Sequence, residues 1–127
     1  MAKKWRNKNV REAFKNAING IKYVFKNEHN YRIQVVFSII AILIGIILEI
    51  SFLEFAIIFT VIALVFLAEF INSIVETVVD MYTEEYNEKA KIAKDVAAGT
   101  AMLMAIASVI VGILIYLPKI LKVFNII

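Results

Sequence analysis

Between Asn9 and Lys26 the apolar residues Val10, Ala13, Phe14, Ala17, Ile18, Ile21, Val24 and Phe25 recur every three or four positions, the period of one helical face. The other faces carry Arg11, Lys15, Lys22 and Lys26 beside Glu12, Asn16 and Asn19. This profile predicts an amphipathic helix over about 9–28, lying in the headgroup layer of an anionic leaflet. Three longer apolar stretches follow, at 32–48, 52–79 and 96–117. Each is close to the roughly 20 residues that cross a hydrocarbon core at about 1.5 Å per residue. Glu49, Ser51 and Glu54 form the short turn between the first two, and a charged segment from Asp80 to Asp95 joins the second to the third. Pro118 is expected to end the third span, because proline cannot continue the helix ladder.

The chain is therefore read as an all-α membrane protein of one domain over 1–127, a surface helix plus three transmembrane helices. Composition agrees: 61% of the 127 residues are apolar and mean hydropathy is +0.79, against about 45–50% apolar in soluble domains. A separate soluble catalytic module has no room, so any chemistry sits in or beside the bilayer. The net charge of +3 is unevenly placed, with nine Lys and Arg against two acids in residues 1–32. By the positive-inside bias, the N-terminal helix and the charged segment face the cytoplasm and the Glu49–Glu54 turn faces out. Lys119 and Lys122 then fall on the outer side, against that bias. No cleavable secretory signal is expected, since the uninterrupted apolar run begins only near Ile33. Ala97, Ala101 and Ala105, beside Gly99, form a small-residue stripe suited to close helix packing and association.

The informative residues are those that break the apolar rule. Glu69, Asn72, Ser73, Glu76 and Asp80 fall on one helical face of the second span. Glu69 and Glu76 stand about 10.5 Å apart along the axis, so both acids can line one groove at different depths. A carboxylate at mid-membrane costs on the order of 2.5–3.5 kcal/mol on insertion scales, and implies a polar interior, a partner or a function. Glu28, Lys94 and Asp95 lie at the same membrane surface as Glu76. Carboxylates converging there suit a hard divalent cation, and Mg²⁺ is the usual choice where phosphates complete the shell. The lone His29 reads as a solvated neighbour. Lys94 either meets a phosphate or pairs with Asp95.

Several classes drop out. There are no cysteines, hence no thiolate nucleophile, zinc-thiolate site or iron–sulfur cluster. Neither a G-x-x-x-x-G-K-[ST] loop nor a G-x-G-x-x-G fingerprint can be drawn through Gly20, Gly45, Gly99 and Gly112. Ser38, Ser51, Ser73 and Ser108 lack the surroundings of a hydrolase triad. The basic charge is better assigned to anionic lipid than to nucleic acid. The acidic stripe by itself suits a structural hydrogen-bond network between spans, a site for a hard divalent cation, a small cation-coupled transporter, or a noncatalytic partner whose acids specify assembly.

The segment from Glu69 through Asn72, Ser73, Glu76 and Asp80, followed by Glu85-Tyr86 and Ala93-Lys94-Asp95, resembles the signature E-x-x-N-[ST]-x-x-E-x-x-[VI]-D … E-Y … A-K-D of the small prokaryotic diacylglycerol kinase family. Glu28 and Arg32 also fall where that family places a glutamate and an arginine. The resemblance implies a homotrimer with composite sites at subunit boundaries, in a prokaryotic cell membrane. It also implies transfer of the ATP γ-phosphate to a lipid hydroxyl with Mg²⁺. Carried over by position, Glu69 is the general base beside the lipid substrate, with Arg32 nearby. Glu28 and Glu76 are the ligands of the nucleotide-bound metal. Asn72, Glu85, Lys94 and Asp95 join them around the nucleotide.

Glu28-His29-Asn30-Tyr31-Arg32-Ile33-Gln34 and Ala93-Lys94-Asp95-Val96-Ala97-Ala98-Gly99 are more similar to the undecaprenol kinase branch than to the diacylglycerol branch, which typically reads Glu-Ala-Ala-Phe-Arg-Gln and Asp-Met-Gly-Ser-Ala. Asn16 stands where the diacylglycerol branch tends to place a tyrosine, so N-terminal nucleotide contacts are not carried over. Undecaprenol is the expected acceptor, with diacylglycerol the alternative.

Overall fold

A computed structural model describes residues 4–127; Lys3 of the basic segment lies outside the described residues. Four helices follow in order, α1 (Val10–Asn27), α2 (His29–Ile47), α3 (Phe52–Tyr82) and α4 (Glu88–Val123), with no strand among the described residues. Polar side chains start most of them. Asn9 accepts from the Glu12 amide at 2.8 Å, and Asn87 accepts from the Ala90 amide at 3.0 Å. Ser51 and Glu54 form a reciprocal capping box at the start of α3, satisfying two otherwise unpaired backbone donors.

α2, α3 and α4 are each long and apolar enough to cross a membrane. With 31 and 36 residues, α3 and α4 reach about 46 and 54 Å, well beyond a hydrocarbon core of about 30 Å. Their surplus is charged: the segment expected as a connection from Asp80 to Asp95 is mostly helical, and only 83–87 lie outside a helix.

Pro118 does not end the last helix. α4 continues past it to Val123, giving up the one backbone hydrogen bond that proline cannot donate. The stop comes at Asn125, whose left-handed backbone (φ 55°) lets the Ile126 amide reach back to the Leu121 carbonyl at 3.0 Å, the usual device for closing a helix.

α3 is the central element, packed most extensively against α4 and also against α2. Ala68 on α3 and Ala97 and Ala101 on α4 are buried, so two members of the small-residue stripe are used inside the chain to bring α3 and α4 together. Tyr31 is buried among Phe25, Phe66 and Phe70, with edge-on ring centroids 6.2, 5.0 and 5.2 Å away. That cluster joins the ends of α1 and α2 to the middle of α3. The Tyr116 hydroxyl donates to the Ala41 carbonyl at 2.7 Å, tying α4 to α2. Most large apolar side chains of the spans point outward, Phe37, Ile47 and Leu114 among them, which would be unfavourable in water and is at home in lipid.

The α2–α3 turn is tight. Glu49 adopts a left-handed backbone (φ 53°) and the Ile50 amide returns to the Gly45 carbonyl at 3.1 Å. A Cβ on Gly45 would meet Ile50 Cδ1 at 2.9 Å and the Phe55 ring at 3.1 Å. Gly45→Val is therefore expected to destabilise the chain by about 1–3 kcal/mol through overpacking, read as a lowered thermal midpoint in detergent. Gly45→Ala should cost less, because the nearer neighbour is a flexible side-chain tip. Equal midpoints for Val and Gly would show the turn to be looser than described.

Candidate active site

The polar stripe on α3 runs from interior to surface: Glu69 and Ser73 are buried, Asn72 and Glu76 are partly covered, and Asp80 is exposed. Glu69, 4% exposed, is held by an amide from another helix, since Gln34 Nε2 on α2 donates to Glu69 Oε1 at 2.8 Å. One turn further, Asn72 Nδ2 donates to Glu76 Oε1 at 3.2 Å. Glu28 and Glu76 both lie within electrostatic reach of Glu69. Glu28 arrives there because it is the elbow between α1 and α2, with an extended backbone (φ −105°, ψ 104°) that interrupts an otherwise continuous helix.

Two polar pockets lie along α3. The inner one, about 290 Å³, is lined by Gln34, Glu69 and Asn72 on one side and by Ala98, Ala101 and Ala105 of α4 on the other. The second, about 360 Å³, lies at the α3–α4 connection, where Glu85, Lys94 and Asp95 share a wall with Asp80, Tyr86 and Lys91. The expected nucleotide residues thus divide, with Asn72 on the inner pocket and Glu85, Lys94 and Asp95 on the outer one. From Glu69 to Asp80 the helix rises about 16.5 Å, so a ligand serving both pockets must be long and lie along α3.

Lys94 pairs with Asp80 at 2.7 Å, not with Asp95, which is taken by Lys91 one helical turn away. Glu76 also lies within electrostatic reach of Lys94. Arg32 donates to the Phe25 and Lys26 carbonyls at 3.0 and 2.6 Å and is not among the residues lining the inner pocket. Its guanidinium closes the last turn of α1, where carbonyls have no intrahelical donor. Arg32→Met is expected to loosen the elbow that carries Glu28, at a cost of about 1–2 kcal/mol for a charged hydrogen-bonding group. The check is a thermal midpoint in detergent, and an unchanged midpoint would assign the elbow's stability elsewhere.

Among the described residues no three His, Asp or Glu side chains close around one point to hold a metal. A pair of carboxylates suffices for Mg²⁺ carried by a nucleotide, because phosphates and waters supply the remaining oxygens. Glu28 and Glu76 are hard oxygen donors of that kind. The donor set fits such an ion.

Sequence reasoning did not assign roles to Gln34 or Asp80. Gln34 carried a signal nonetheless, as an amide within the apolar run of α2.

The chain thus combines three helices long and apolar enough to cross a membrane with one buried carboxylate, Glu69, and further polar residues along the same face of α3. The sequence model of one family, prokaryotic diacylglycerol kinase, matches residues 15–116, most of the chain and every acid of the site. The chain belongs to the prokaryotic diacylglycerol kinase family, a lipid kinase family. A search of curated proteins found no match.

Proposed function

We propose that this protein transfers the γ-phosphate of ATP to the hydroxyl of a membrane lipid alcohol, undecaprenol being the acceptor. The observation that carries the reading is Glu69, a carboxylate buried on an apolar helix beside Glu28 and Glu76 in a chain of a kinase family. In the reaction the alcohol oxygen forms a bond to the γ-phosphorus. The bond from that phosphorus to the ADP oxygen breaks with its electron pair, and the hydroxyl proton passes to Glu69. ATP and alcohol become ADP and a lipid phosphate. Glu28 and Glu76 would hold Mg²⁺, which would neutralise the charge that develops on the phosphates. Asn72, Glu85, Lys94 and Asp95 orient the nucleotide, with the Lys94 ammonium as the cationic rim. Phosphoryl transfer asks chiefly for in-line placement and charge neutralisation, and this set of residues can supply both without a glycine-rich loop.

In this reading 1–127 is one domain, with α1 on the cytoplasmic surface of a prokaryotic cell membrane and its Lys and Arg side chains among anionic headgroups. The N-terminus and the site share that side. Lys119, which runs against the charge bias, is offset by Glu54, 3.5 Å away at the outer end of the bundle. Three copies complete the enzyme, and the outward apolar faces of the spans leave room for neighbouring subunits.

Undecaprenol is favoured by the two segments Glu28–Gln34 and Ala93–Gly99, and diacylglycerol is the second reading, favoured by the name of the matched family. The test gives purified protein in mixed micelles labelled ATP, Mg²⁺ and each alcohol in turn. Greater kcat/KM for undecaprenol is expected. The opposite ranking would reverse the acceptor, and transfer to neither would reject the kinase.

A further inference from the structure

Gln34 is the one amide in the apolar part of α2, and it reaches Glu69 across 35 positions of chain. Its orientation is dictated by chemistry: beside a carboxylate an amide must present N–H, since the flipped group would set two oxygens face to face. Gln34 Oε1 consequently points away, and it is buried without a hydrogen-bond donor. Asn72 repeats the arrangement, with Nδ2 spent on Glu76 and Oδ1 buried without a donor. Both residues line the inner pocket with Glu69 and Asn30, opposite alanines that offer no polar side chain.

Two carboxylates therefore consume the amide donors of Gln34 and Asn72, while Asn30 also lines the pocket. An alcohol entering the pocket points its O–H hydrogen at the Glu69 oxygen that Gln34 leaves free. Its oxygen lone pairs then face away, with no N–H of Gln34 or Asn72 competing for them. With Glu69 Oε1 held by Gln34, the proton passes to Oε2.

We infer that Gln34 is a positioning residue for phosphoryl transfer, fixing the Glu69 carboxylate so that the acceptor hydroxyl is presented hydrogen-first to Oε2. The inference rests on the reading of Glu69 as proton acceptor given above.

The test compares Gln34→Met, Gln34→Glu and Gln34→His in the full-length protein in mixed micelles. It measures kcat, KM for ATP and acceptor, and nucleotide binding directly. Gln34→Met, of similar volume and without a donor, is expected to lose on the order of 10²-fold in kcat, the effect of a small misplacement of a reacting group. Nucleotide affinity should stay within about twofold of the parent, since on this argument only acceptor geometry is disturbed. Gln34→Glu keeps the size but presents no N–H to Glu69, and should fall at least as far. Gln34→His, which can still donate from its ring, should recover at least fivefold over Gln34→Met on the same ground. A Gln34→Met enzyme within fivefold of the parent, a matching loss of nucleotide affinity, or no advantage of His over Met would each overturn the inference. If Gln34→Met does not fold, the Gln34→Glu and Gln34→His pair decides by the same criterion. Failure of the underlying reading looks different: the parent protein then transfers no phosphate, or Glu69→Gln is as active as the parent.

Discussion

Glu69→Gln is expected to lower kcat by about 10²–10⁴-fold, the usual contribution of a general base, while KM for ATP changes little. The substitution keeps the shape of the side chain and its carbonyl oxygen, so Gln34 Nε2 retains an acceptor where it now finds Glu69 Oε1 at 2.8 Å. What disappears is the ability to take a proton. Glu69 lies on the inner pocket, away from the Glu85, Lys94 and Asp95 wall, so the nucleotide contacts proposed on that wall are left in place. Folding should not suffer either, because an isolated carboxylate is costly at that depth and the neutral amide fills the same space. Single-turnover transfer to the acceptor, set beside equilibrium nucleotide binding, separates these effects. Full activity in the variant would remove Glu69 from the chemistry.

How much of this was legible beforehand depends on whether the controlling interaction is local. The three spans follow from apolar length, and the α3 stripe follows from helical spacing, so Glu69, Asn72, Ser73, Glu76 and Asp80 share a face as expected. Helix ends were less legible. The charged residues Glu88 to Asp95 read as a connection by polarity, yet Asn87 caps them and good helix formers carry α4 outward into the polar region. Pro118 read as a stop, but Asn125 ends the helix, because a left-handed closing residue terminates the ladder whereas one missing donor only interrupts it. Partners across helices were the least legible. Nothing in the spacing of α2 announces that Gln34 meets Glu69. Lys94 pairs with Asp80, fourteen residues back, because Lys91 at helical spacing already holds Asp95.

Removing a proposed metal ligand should have the opposite signature from removing the base. Glu28→Gln and Glu76→Gln are each expected to reduce kcat/KM for MgATP by about 10²-fold or more, since a bound metal contributes several kcal/mol of charge stabilisation. Both should raise the Mg²⁺ concentration needed for half-maximal rate. An amide oxygen is a poorer ligand than a carboxylate for a hard cation, so excess Mg²⁺ should recover part of the activity, whereas it cannot restore a proton acceptor to Glu69→Gln. The two acids come from different places, the α1–α2 elbow and α3, so Arg32→Met, which loosens the elbow, should reproduce a milder form of the Glu28 defect and leave Glu76 intact. If Glu28 and Glu76 hold one ion, the double variant should lose less than the product of the two single losses. Fully multiplicative losses, or a Mg²⁺ requirement unchanged in both single variants, would separate the two acids and leave the phosphate charge to be met elsewhere.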